Sequence, residues 1–126
     1  MEKKPNILYF NTRDELFKIN LEKVVCFEAE SNYIRVFLIN GLECMIRMSL
    51  GKMESILSSR TAPDRFVRIG KRFIVNLSFI FSINVLKQQL ILSDLQSFVK
   101  TLCVSKDALK KLKELMKQSY TLIHNG

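Results

Sequence analysis

The chain has one histidine, three scattered cysteines, two prolines and four glycines in 126 residues, and each scarcity excludes something. The single His124 sits near the C-terminus, and no carboxylates or cysteines fall at ligand-like spacing. General acid–base chemistry and a metal centre therefore have little to build on, and no enzyme activity, metal or cofactor is expected. A phosphate-cradling Gly-x-x-x-x-Gly-Lys run, a Gly-x-Gly-x-x-Gly run and Cys-x-x-Cys pairs are all missing. Cys26, Cys44 and Cys103 are odd in number and lie among apolar or strand-type neighbours, so they read as reduced core residues. Few prolines and glycines, with 48% hydrophobic and 25% charged residues, exclude a disordered chain. No apolar run approaches the roughly 20 residues of a membrane span, and the Met1 end lacks a leader pattern, which predicts a cytoplasmic protein without a membrane partner.

What is present is one globular domain, 1–126 with a core of about 5–117, carrying a lopsided positive charge. Residues 1–42 hold six cations and six anions; residues 43–126 hold fourteen cations and six anions. The excess points to an acidic partner, either nucleic acid or an anionic surface. It is densest at Arg65-Phe66-Val67-Arg68-Ile69-Gly70-Lys71-Arg72-Phe73, where no acidic residue follows until Asp94. Nothing close in sequence neutralises Arg65, Arg68, Lys71, Arg72 or Lys87.

Short alternating runs bounded by turn residues predict strands at 7–10, 15–19, 24–30, 33–38 and 43–47. Further runs predict strands at 66–69, 73–76, 80–84, 89–92 and 97–104. Asn40-Gly41 predicts a two-residue hairpin with positive φ at both positions. Ser49 is placed to cap a short helix with Leu50, Met53 and Leu57 on one side, and 58–64 is expected as a connector ended by Pro63. Ser105 is placed to cap a closing helix, about 106–119, with Leu109, Leu112, Leu115 and Met116 inside and Lys110, Lys111, Lys113 and Lys117 outside.

Three turns are candidate contacts. The 68–72 loop is basic and flanked by apolar strands that hold it in place. Asn32 in the Ser31-Asn32 turn can pair bidentately with an adenine edge. Lys106 stands where a helix N-terminus turns its N–H groups toward a phosphate, with Asp107 opposing it. Glu28 and Glu30 share a strand face and read as ion-paired or solvated rather than as a catalytic pair.

In order, these blocks resemble the LytTR family of bacterial DNA-binding domains. The resemblance runs through Leu21 to Val36, with Glu30-Ser31-Asn32-Tyr33 at its turn, then Arg47-Met48-Ser49-Leu50. It continues through Phe66 to Asn76, ending Phe73-Ile74-Val75-Asn76, and through Val104-Ser105-Lys106. It implies a mostly β fold of elongated, stacked antiparallel sheets with a short middle helix and a C-terminal helix. It also implies a sequence-specific, double-stranded DNA-binding transcription regulator that inserts loops into successive major grooves, typically at direct repeats.

Carried over by position, base contacts are expected from Asn32, Lys71, Arg72 and Lys106, and backbone contacts from Arg35, Arg68, Ser105 and Lys110. Gly70 stands where the family usually has histidine and Arg72 where it usually has serine, which makes the turn more cationic. Asp107 replaces a residue that is often basic. Most LytTR proteins carry a phosphoacceptor receiver domain; none is encoded after Met1 here, so control is expected from expression level, a signalling partner or a second copy on an adjacent site. The rival reading is a protein-interaction or anionic-surface-binding module on the same scaffold. Single-stranded RNA binding would need Tyr33, Phe37 and Phe73 as stacking platforms, whereas their strand alternation suits packing.

Overall fold

The computed structural model describes residues 6–61, 65–119 and 122–124. Its centre is a five-stranded antiparallel sheet in the order β5-β4-β3-β7-β6, built from β3 (Val24–Glu30), β4 (Tyr33–Leu38), β5 (Glu43–Ile46), β6 (Phe66–Ile69) and β7 (Phe73–Asn76). A hairpin of β1 (Ile7–Asn11) and β2 (Leu16–Asn20) and the helix α1 (Leu50–Arg60) share one core with this sheet. A three-stranded sheet, β10-β9-β8, and the helix α2 (Lys106–Ser119) share the other. Its strands are β8 (Ile80–Asn84), β9 (Gln89–Ser93) and β10 (Val99–Cys103).

Because both faces of the central sheet are covered, its inner strands lose simple polar alternation. Phe73-Ile74-Val75-Asn76 is buried throughout. Ile74 joins the first core, and Phe73 and Val75 the second. In β3 the register against β4 skips between Val24 and Cys26. This bulge lets two successive residues, Val25 and Cys26, enter the second core while Val24 and Phe27 enter the first. Asn76, fully buried, donates from Nδ2 to the Val24 carbonyl at 2.9 Å and accepts from the Ser78 N–H at 3.0 Å, so no buried polar atom of it goes unpaired.

The two caps form as expected: Ser49 Oγ accepts from the Lys52 N–H at 3.1 Å and Ser105 Oγ from the Ala108 N–H at 3.3 Å. Leu109 and Leu112 bury α2 against the second core, and Met53 and Leu57 bury α1 against the first.

Three expectations need correction. The connector expected from residue 58 begins later, because α1 runs through Arg60 with Thr61 N–H returning to the Leu57 carbonyl; Pro63 lies outside the described residues. Four residues, Ile39 to Leu42, separate β4 from β5, with Leu38 N–H bonded to the Leu42 carbonyl and positive φ at Gly41 alone; the Asn40 side chain instead accepts from the Leu42 N–H. Cys26 and Cys44 are buried, but Cys103 is exposed, since it falls on the outward side of β10 while Leu102 points in. Burial pushes the Cys26 thiol up to about 12, only partly offset by the Lys100 charge.

Candidate nucleic-acid interface

Antiparallel pairing of β3 with both β4 and β7 brings two turns to the same end of the central sheet. Glu30 pairs with Tyr33, leaving Ser31-Asn32 as the tip of one hairpin; Ile69 pairs with Phe73, leaving Gly70-Lys71-Arg72 as the tip of the other. The two are stitched together by the Ala29 N–H, which donates to the Arg72 carbonyl at 2.8 Å. Ser31 (φ 58°) and Gly70 (φ 61°) adopt the left-handed backbone that tight turns need.

The start of α2 adjoins this end. Arg68 and Gly70 line one side of a groove of about 430 Å³, and Ser105, Asp107 and Lys111 line the other. The 105–107 segment is held there because the Val104 N–H bonds the Gln88 carbonyl, which also draws in the β8–β9 turn with Lys87. The 70–72 turn thus adjoins both the 31–32 turn and the 105–107 segment, and Gln88, next to Lys87 in the chain, is bonded to Val104.

Among the described residues, Lys71, Lys87 and Lys106 are exposed and have no carboxylate partner. Asn32 is exposed at its tip. Lys110 is exposed one helical turn into α2. The arginines differ: no carboxylate close in sequence reaches those of the basic stretch, as expected, but carboxylates from other elements do. Arg72 meets Glu28 at 2.7 Å and lies 5.4 Å from the centre of the Phe73 ring, though it remains 67% exposed. Arg65 reaches Glu22 at 4.0 Å and Arg68 reaches Glu54 at 3.2 Å. Arg35 gives Nε and Nη2 to Glu30 at 2.8 and 3.0 Å and Nη1 to Glu43 at 3.2 Å. That hydrogen bonding, with the Arg35 charge and then the Arg72 charge, holds the Glu30 carboxyl below its usual range. The carboxylates come from β3, β5, α1 and the turn after β2, all distant in sequence from the basic stretch.

Sequence reasoning missed Glu28 and Glu54 as partners of the basic turn, and Lys87 and Lys111 as neighbours of the 105–107 segment. The signal available for Lys111 was its i, i+4 relation to Asp107 on one helix face. None existed for Glu54, because nothing local relates α1 to β6.

No described helix is long and apolar enough to cross a membrane, and the described residues contain no cluster of metal-ligating side chains. An exposed, rigidly based edge with free cations and an amide at its tips suits a polyanion with readable edges.

Comparison with known proteins agrees with this chemistry. The LytTr DNA-binding domain family matches residues 14–117. No curated protein matches the sequence. Four chains of solved structures match the fold. One, described as the LytTr DNA-binding domain of a methyl-accepting/DNA response regulator from Bacillus cereus, is 23% identical with a TM-score of 0.66, covering 90% of this chain and 98% of that one.

Proposed function

The chain belongs to the LytTR family of DNA-binding domains, and we propose that it is a sequence-specific transcription regulator that reads double-stranded DNA through the edge formed by its three turns. The observation that carries this reading is the adjacency of the 31–32, 70–72 and 105–107 segments. Asn32, Lys71, Arg72 and Lys106 are assigned to base edges in successive major grooves, where amide and cationic donors discriminate adenine and guanine. Ser105 and Lys110 are assigned to phosphates, joined by Lys87 and Lys111. Arg35 and Arg68 are reassigned from phosphate contact to internal support, since their guanidinium groups are engaged by carboxylates and their side chains are only about a third exposed, unlike that of Arg72.

Each phosphate neutralised releases counterions, so binding weakens steeply with salt. Direct repeats suit a module that reads one side of a duplex, with a second copy on the adjacent site. A DNA partner accords with the cytoplasmic location expected from the sequence. Selection of bound duplexes from a random pool tests the reading: recovery of a spaced, repeated motif supports it, and recovery of unenriched sequence overturns it.

A protein-interaction role has one observation in its favour. Phe81, Leu95 and Val99 are 63%, 75% and 74% exposed around an open groove on the three-stranded sheet, and this uncharged surface suits a protein partner better than DNA.

A further inference from the structure

The turn at 70–72 has little packing of its own. A side chain added at Gly70 would meet no atom within 4 Å. On one side of the strand that leads into it lies the 430 Å³ groove facing α2, and on the other a groove of about 540 Å³ facing α1. Arg68 lines both. Its guanidinium donates from Nε to the Gly70 carbonyl at 3.0 Å, from Nη2 to the Lys71 carbonyl at 3.3 Å, and from Nη1 to Glu54 Oε1 at 3.2 Å. The helix backbone that carries Glu54 is held because its neighbours Met53 and Leu57 anchor α1 in the first core.

We propose that Arg68 is a positioning residue: a strut running from α1 to the 70–72 turn that sets the direction in which Lys71 and Arg72 meet DNA. The inference rests on the DNA-binding reading above and deepens it. A planar fork with several divergent donors can serve two carbonyls and a carboxylate together; a lysine ammonium, a single point of charge, cannot span all three. Ordering the turn in the free protein removes that entropy cost from binding, and the gain falls on the sequence-reading contacts.

The test titrates Arg68→Ala, Arg68→Lys and Glu54→Gln against the selected duplex and a random one over a range of salt, with thermal unfolding to verify each fold. For both Arg68 variants the preference for the selected duplex should fall about tenfold, within the range one base contact supplies, with the salt slope unchanged. A uniform loss with the slope reduced by about 0.9, rescued by lysine, would mark Arg68 as a phosphate contact and overturn the strut. Glu54→Gln has a diagnostic sign: the strut requires weaker binding of the selected duplex, whereas simple removal of a negative charge tightens binding to both, and that second result overturns it. In the free protein, backbone amide order parameters at Gly70 and Lys71 should drop in Arg68→Ala while those of β7 hold. Unchanged values sink the strut by themselves. Absence of any duplex complex with the native chain sinks the DNA-binding reading instead, with the amide measurement still judging the strut.

Discussion

Around the 70–72 turn, Arg68 and Arg72 each meet a carboxylate from another element, whereas along α2 only Lys117, paired with Glu114, has one among the described residues. Beyond Lys106, which is assigned to base edges, Lys110, Lys111 and Lys113 are exposed and have no carboxylate partner among the described residues. The two regions are both cationic and sit side by side, yet they present charge differently. Exposed ion pairs stabilise a fold by little, so the pairing at the turn is better understood as aiming guanidinium groups than as holding the protein together. Free lysines on a helix surface supply attraction that is indifferent to sequence. On the proposed function, the turn reads and the body of the helix grips.

Leu109→Ala attacks the gripping region hardest. The side chain is fully buried in the second core, and its truncation should cost about 2–5 kcal/mol in chemical denaturation. A cost near zero would mean α2 is not seated as described, and the contrast with the turn would lose its basis.

Lys71→Ala acts on the reading region. It should lose about 1–3 kcal/mol on the selected duplex and little on a random one; equal losses on both would make the turn another gripping surface. Lys110→Ala and Lys111→Ala should do the reverse, each lowering the salt slope by up to about 0.9 for every duplex and leaving the preference intact. A change of preference in either would erase the division between the regions.

The smallest effect concerns pH. Glu30 is held below its ordinary value of 4.5, first by the Arg35 hydrogen bonds. A depressed carboxyl stabilises the fold above its unfolded-state pKa, and that contribution is lost as pH falls through the folded value. Melting temperature should therefore decline on acidification below about pH 4.5 slightly more for the native chain than for Arg35→Gln. Asp94, lowered by the Ser97 hydroxyl and by the Gln96, Ser97 and Phe98 amides, adds to the decline in both proteins alike. Identical acid limbs would show that the Arg35 pairs do not persist in solution.

Much of the scaffold was legible because its signals are local. Strand-type runs bounded by turn residues marked β3 and β4, and serine caps marked both helices. Cys103 and Asn40 show the limit of such signals. Which side of an edge strand faces water depends on the sheet packed against it, and a loop's φ values depend on the register of strands that the loop does not itself specify.

By itself, the sequence determined the turns, the caps and the charge excess, because each depends on residues within a few positions of one another. It also contained, as blocks in order, the family to which the chain belongs. Only the tertiary structure decided which cations are free. Glu22, Glu28 and Glu54 lie far from Arg65, Arg72 and Arg68 along the chain, and Coulomb attraction acts on distance in space, which the antiparallel order β4-β3-β7-β6 and the seating of α1 alone make short.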